Sequence, residues 1–238
     1  MAQEPLHDVL VLPEPNEKDF VPVKTTLPKQ PLPPNTARQP VHTDRLTIRV
    51  LTKEDLHDLH VLRTQPEVMQ WTALKKVDDD LEETMARLSP FLEPNDARTY
   101  NFAICERETG EFIGLGGFHN MRQSFGWPEL GYMFKKAAWG KGYATEFLEA
   151  FLGMWEGLER EEVEIRVDPR TIVLKEEGKE GRAKEQILAI TSVYNGKSQR
   201  VLEKCGFERV FFWDAPNLAD ETGEKREMLP LYTYFPKV

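Results

Sequence analysis

Gly140 and Gly142 lie one residue apart in Ala137-Ala138-Trp139-Gly140-Lys141-Gly142-Tyr143-Ala144-Thr145-Glu146. Beyond them Phe147, Phe151 and Trp155 recur at steps of four, with Leu148 and Leu152 alongside. That spacing is the apolar stripe of a helix laid on a core, so the glycines mark its entrance. The first N–H groups of a helix have no intrahelical partner and lie at the positive end of its dipole, and glycines let a ligand reach them. The chemistry on offer is the seating of an anion, phosphate first. A tight turn ahead of a core helix is the other reading that the loop by itself leaves open.

Other motifs fail on spacing. Gly196-Lys197-Ser198 lacks the glycine five residues upstream that a phosphate-binding P-loop needs, since Thr191 stands there. Gly114-Leu115-Gly116 sits within a strand-like run and has His119 where a dinucleotide fingerprint requires glycine. There is no Gly-x-Ser-x-Gly elbow and no Ser, His and Asp set placed as a triad. His57 and His60 are an i, i+3 pair without a third ligand nearby and read as surface histidines, so no metal is expected. Cys105 and Cys205 are a hundred residues apart with no C-x-x-C and read as reduced core residues.

The elements that must carry these residues follow from pattern. The 238 residues suit one domain, and no apolar run approaches the ~18 residues of a membrane span. The net charge of -9 argues against a nucleic-acid partner. Met1 to Leu12 has neither a basic start nor a long apolar block, so no leader is expected and the location expected is cytoplasmic. Nine of the seventeen prolines fall before residue 41, which makes 1–42 an extended or disordered arm ahead of a single domain over 43–238. Arg45 to Val50 alternates like a strand, and Thr52 with Asp55 caps a helix running to about Arg63. Pro66 to Met69 reads as a helical turn and Asp79 to Phe91 as a helix. Tyr100 to Arg107 and Glu111 to Asn120 read as a hairpin turned at Glu108-Thr109-Gly110, followed by a strand from Glu129 to Lys135. After the glycine loop and its helix, a charged excursion over about 158–186 contains the strand-like Val163 to Val167 and a Lys/Glu/Gly-rich, solvated stretch. Ile187 to Thr191 resumes as a buried strand, Ser198 to Lys204 reads helical, and Glu208 to Trp213 and Glu227 to Phe235 are the last strands.

This order, together with Thr43-Asp44-Arg45-Leu46-Thr47-Ile48-Arg49, Glu129-Leu130-Gly131-Tyr132, the glycine loop and Asn195-Gly196-Lys197-Ser198 running to Gly206-Phe207, resembles the GNAT acetyltransferases. Within them it resembles the RimJ/RimL branch, which acetylates ribosomal-protein N-termini. The resemblance implies an α+β fold in α/β/α layers. Its mixed, mostly antiparallel sheet of six or seven strands is flanked by helices and split in a V between strands four and five. For strand five both 162–168 and 187–193 are candidates, and the lead into Asn195 and Ser198 favours the second.

The resemblance also implies acetyl-CoA as co-substrate, with no metal. Its pyrophosphate falls to Trp139, Gly140, Lys141, Gly142, Tyr143, Ala144 and Thr145, its pantetheine to the backbone of Met133, Phe134 and Lys135, and its sulfur end to Asn195 and Ser198. Ala137 stands where the family pattern has Gln or Arg. Acetyl transfer needs a neutral amine, donors for the oxyanion and a proton for the departing thiolate. Glu129 is the first candidate base, His119 the second, and Ser198 replaces the tyrosine acid of many such enzymes, because that position is Leu202. The function expected is N-acetylation of a primary amine, a peptide N-terminus first, by a monomer or homodimer without nucleic-acid or membrane partners. A small-molecule amine acetyltransferase and a non-catalytic acyl-CoA-binding module are the alternatives.

Overall fold

The structure, a computed structural model, describes residues 11–119, 121, 124–172, 181–220 and 222–238. The first ten residues of the segment read as lacking a leader, and most of the solvated Lys/Glu/Gly-rich stretch, lie outside them. The elements in chain order are β1 (Val11–Leu12), β2 (Val21–Pro28), β3 (Val41–His42), β4 (Leu46–Val50), α1 (Leu56–Arg63), α2 (Pro66–Met69), α3 (Leu81–Leu88) and β5 (Tyr100–Glu106). They continue with β6 (Phe112–Phe118), β7 (Glu129–Phe134), α4 (Tyr143–Glu156), β8 (Arg160–Val167), β9 (Ile187–Ile190), α5 (Gly196–Lys204), β10 (Glu208–Pro216) and β11 (Arg226–Tyr234). None of the helices is long and apolar enough to cross a membrane, among the described residues.

Local chemistry sets several boundaries. Thr52 and Asp55 form the expected capping box, and Asp55 also takes the Arg49 guanidinium at 2.6 and 2.8 Å, tying β4 to the start of α1. The helix expected over Asp79–Phe91 starts later, because Asp80 caps it by accepting from Glu83 N at 2.8 Å. It also ends earlier, since Ser89-Pro90-Phe91 tightens into a 3-10 turn.

One mixed sheet runs in the order β1-β10-β11-β9-β7-β6-β5-β4-β3. The six or seven strands expected are β4 to β7 and β9 to β11; the arm adds β1 and β3 as two-residue strands on the two outer edges. Of the two segments competing to follow α4, β9 enters this sheet parallel to β7, whereas β8 pairs antiparallel with β2 of the arm in a separate two-stranded layer. Their patterns explain the choice. Ile187-Leu188-Ala189-Ile190 is apolar on both faces, as an interior strand must be, while β8 carries Val163, Ile165 and Val167 on one face only.

One face of the sheet receives α4, whose Phe147, Phe151 and Trp155 are fully buried against Phe102, Phe118 and Tyr232. Phe118 and Trp155 meet edge to face at 4.4 Å. Truncating such a ring to alanine costs about 3–5 kcal/mol, so α4 and the loop that opens it are anchored by the core. The opposite face has two covers. Leu59, Leu62 and Leu88 from α1 and α3 lie over Ala103 and Leu115, and β2 with β8 closes a second core around Phe125, Trp127, Trp213 and Leu231. On the α4 face the arm adds Leu32 to the first core and lays Arg38 over the Tyr100 ring at 5.0 Å, donating to Thr99 O at 2.7 Å.

Candidate active site

The sheet opens at β7. Register with β9 consists of Glu129↔Leu188 and Leu130↔Ala189, and past Leu130 the β7 edge has no strand beside it among the described residues. Leu188 N donates to Pro128 O at 2.8 Å on that side, and Lys135 N donates to Ile113 O at 2.8 Å on the β6 side. Backbone groups alternate along a strand, so Leu130, Tyr132 and Phe134 face the gap while Gly131, Met133 and Lys135 face β6. This corrects two expectations. Of Met133, Phe134 and Lys135, only Phe134 offers its N–H to the gap, and Tyr132 joins it; the amides of Met133 and Lys135 belong to the sheet. The Phe134 carbonyl already accepts from Trp139 Nε1 at 2.8 Å, which fixes the corner between β7 and the glycine loop.

Across the gap stands the start of α5. Asn195 caps it, its Oδ1 accepting from Ser198 N at 3.2 Å. Tyr132 Oη reaches over from β7 to within 2.9 Å of Ser198 Oγ. Burial pushes the Tyr132 hydroxyl well above the ordinary phenol range, so it stays protonated and able to donate. Lys197 Nζ sits 5.2 Å from the centre of the Trp139 ring, a second contact between the two walls. Leu202, on the next turn of α5, is buried and carries no hydroxyl.

The glycine loop takes the geometry its composition allows. Gly140 and Gly142 have φ of +75° and +86°, the left-handed region, and Gly142 is the N-cap of α4. Glu146 N closes the first turn onto Gly142 O at 3.1 Å, so the amides of Tyr143, Ala144 and Thr145 are the ones that a helix leaves without intrahelical partners. The segment Thr43 to Arg45 holds this loop. Arg45 donates from Nη1 to Lys141 O at 2.8 Å and from Nε to Glu146 Oε2 at 2.7 Å, and Thr43 Oγ1 donates to Glu146 Oε1 at 2.6 Å. Burial by itself would raise the Glu146 carboxyl, but these bonds outweigh it and hold the group below its ordinary range. The Arg45 guanidinium also covers the Tyr143 ring at 4.8 Å. An arginine just ahead of a strand and a glutamate in a helix's first turn are the sequence signal of this clasp.

On the other face of β7 a cleft of about 290 Å³ lies under α1 and α3, lined by Leu59, Met69, Leu74, Phe91 and Met133, with His119 in its wall. Phe118 pairs with Leu130, so His119, one residue on, falls opposite Glu129. Its ring lies edge-on to Phe91 at 5.3 Å, and a Cβ on Gly131 would stand 3.5 Å from its Cε1. Asn101 Oδ1 accepts from Phe102 N at 3.0 Å, which turns the amide's Nδ2 toward His119 Nδ1 at 3.2 Å. Nδ1 is then the acceptor and the proton resides on Nε2. Enclosure in the cleft, and secondarily the Arg63 charge, push the imidazole pKa down, so the ring is neutral.

Glu129 has a different environment. Its Oε2 is sealed from solvent and has no hydrogen-bond partner among the described residues, while the residue as a whole is half-buried, and burial pushes its carboxyl pKa up to about 7. An unpartnered buried carboxyl is costly to keep, and such groups concentrate where proton transfer is needed. The site therefore brings together Glu129 and His119 on the cleft side, Phe134 and Tyr132 on the gap edge, and Asn195 and Ser198 across it. No group of three His, Cys, Asp or Glu side chains able to hold a metal ion occurs among the described residues. His60 instead pairs with Thr84 Oγ1 at 2.8 Å.

Comparison with known proteins bears on the whole arrangement. Residues 45–208 match the model of the acetyltransferase (GNAT) domain. An uncharacterized N-acetyltransferase p20 of Bacillus licheniformis is 29% identical over 135 residues, covering 54% of this chain and 73% of that protein. Among solved structures, the spermidine N-acetyltransferase of Vibrio cholerae in complex with CoA and spermine superposes with a TM-score of 0.59 at 15% identity, over 82% of this chain and 97% of that one. The ribosomal L7/L12 α-N-protein acetyltransferase RimL, in complex with coenzyme A, gives 0.59 at 14% identity over 83% and 98%. At such identities these structures establish a shared fold.

Proposed function

Because the chain belongs to the GNAT acetyltransferase family, we propose that it transfers the acetyl group of acetyl-CoA to a primary amine by direct attack on the thioester, in the manner of the RimJ/RimL branch that acts on peptide N-termini. The observation that carries this reading is the open edge of β7, with a helix-start anion seat at one end and the unpartnered Glu129 carboxyl behind it. The amides from Gly140 to Thr145 receive the pyrophosphate, where the α4 dipole adds to the attraction. The backbone of Tyr132 and Phe134 lines the path of the pantetheine.

The chemistry divides among the chain's own groups. Glu129, ionised at neutral to alkaline pH, accepts a proton from the incoming ammonium. An N-terminal α-amine, with a pKa of about 8, is better matched to a carboxylate near 7 than a lysine side chain at about 10.4. The neutral nitrogen attacks the carbonyl carbon while the Phe134 N–H holds the oxygen as it becomes negative. When the tetrahedral adduct collapses, the C–S bond breaks with its electron pair going to sulfur, and the proton that the nitrogen sheds on becoming an amide reaches the thiolate through Ser198 Oγ, which takes up one proton as it passes one on and which the Tyr132 hydroxyl orients. His119, neutral and fixed by Asn101, shapes the acceptor side.

Isothermal calorimetry with acetyl-CoA, followed by a thiol-release assay over peptides and small amines, tests the proposal. Micromolar binding with turnover on peptide N-termini is the expected result. Turnover on small amines alone would make the chain a small-molecule acetyltransferase, binding without turnover would make it an acyl-CoA-binding module, and absence of binding would overturn the reading.

A further inference from the structure

The cleft beside Glu129 has an unusual charge inventory. Among the described residues five ionic side chains reach its lining, and each already faces an opposite charge. Arg63 holds Asp78 through two bonds of 2.6 and 2.8 Å, and Asp78 also accepts from Thr84 Oγ1 at 2.7 Å. Lys76 pairs with Asp79 at 2.6 Å, and Arg87 lies 3.4 Å from Glu83. The remaining lining is mostly apolar, Leu59, Met69, Leu74, Phe91, Leu115 and Met133. Past His119, on the same face of β7 as Met133, lies Glu129, whose Oε2 has no partner among the described residues.

The roof of the cleft is also fixed. Its outer turn places Lys75 at a φ of +52°, and Lys75 Nζ donates to Glu227 Oε2 at 2.6 Å, so the turn is pinned to β11. The Arg63–Asp78 pair holds the roof's other end to α1. The cleft's selectivity is thus built in before an acceptor arrives.

Resting on the acetyltransferase reading above, we infer that the acceptor is a primary amine borne on an apolar body with no second cationic group. One ammonium finds Glu129. A second, along a polyamine, would enter a wall whose carboxylates are all engaged, and an unpaired charge among apolar side chains is disfavoured. An acidic body fares no better, because the cations there are equally engaged. At about 290 Å³ the cleft lies at the small end of ligand pockets and suits one apolar side chain or one small apolar group.

The test first measures acetyl-CoA binding by calorimetry, so that failure of the underlying reading is seen separately as absence of binding. Steady-state kcat/KM is then compared for a tetrapeptide beginning with Leu, one beginning with Asp, an apolar monoamine such as phenethylamine, and spermidine. The Leu peptide or the apolar monoamine should exceed both the Asp peptide and spermidine by about tenfold or more, and whichever of the two leads identifies the source of the amine. Leu74→Glu, at a rim position 44% exposed where folding is not at stake, should lower kcat/KM for apolar acceptors several-fold and raise it for spermidine, with the KM for acetyl-CoA unchanged. Preference of the unmodified enzyme for spermidine or the Asp peptide would overturn the inference, as would a Leu74→Glu enzyme with unaltered selectivity.

Discussion

The two sides of β7 are made of different material. Its gap-facing edge is built from backbone: the amides of Tyr132 and Phe134, the left-handed glycines and the first turn of α4. Its cleft-facing side is built from side chains that come from α1, α3, β6 and the turn after α2. A backbone site presents the same groups whatever the neighbouring residue types, so it suits the invariant part of a donor. A side-chain site is rewritten by single substitutions, so acceptor choice resides there.

The largest effect that would break this comparison is at the loop. Gly142→Asp puts a Cβ within 3.3 Å of Arg45 Nη2, imposes a side chain on a φ of +86° and adds negative charge to the anion seat. Acetyl-CoA affinity should fall by about a thousandfold in calorimetry, well beyond the roughly 1–2 kcal/mol of backbone strain read from urea unfolding. Retained affinity would mean that the donor side is not made of these amides.

Next comes the side-chain face. Glu129→Gln should leave acetyl-CoA affinity within about twofold and lower kcat by about a hundredfold, as for loss of a general base. The limb of the pH–rate profile near pH 7 should disappear with it. An unchanged profile would remove Glu129 from the mechanism.

The same substitution sharpens the energetics. A carboxyl whose folded pKa is raised from about 4.5 to about 7 favours the fold fully below pH 4.5, and that contribution is lost as pH rises through 7. Glu129→Gln should therefore gain up to roughly 2–3 kcal/mol over the unmodified protein at pH 8 and nothing at pH 4, measured by urea unfolding at both.

The smallest effect joins the two walls of the gap. Tyr132→Phe should lower kcat about tenfold with KM for acetyl-CoA unchanged. In a Ser198→Ala background it should have almost no further effect, because Tyr132 works through that hydroxyl. Additive losses would give Tyr132 a separate role.

What could be read in advance follows the same division. The capping box at Thr52, the turn at Gly110, the Asn195 cap and the glycine loop are interactions within a few residues, and each was present in local spacing. Glu129 was reachable through the resemblance, but the isolation of its Oε2 depends on what the elements packed around it leave unpaired. The orientation of the Met133 and Lys135 amides required knowing which neighbour binds which edge of β7, a matter of strand register that no window of one strand contains. Tyr132 meeting Ser198, and Arg45 meeting Glu146, join residues far apart in the chain. The arm was the hardest to read: its prolines left an extended and a disordered arm both open, and Val23 and Leu27, alternating with the residues between them, let β2 cover β8.

That arm has a consequence for how the chain comes into being. Residues 11–42 leave the ribosome before most of their partners: β2 waits for β8, and β1 waits for β10. These two strands are therefore made well before they can dock, and they close contacts of very high sequence separation that are slow to form. Until they do, β10 stands as an unguarded sheet edge and the Phe125–Trp127 core faces water, the condition in which nascent chains pair with one another. Dependence on chaperones during synthesis should thus track the arm, and the yield of soluble enzyme should be more sensitive to substitutions in Val21–Pro28 than any catalytic measurement is.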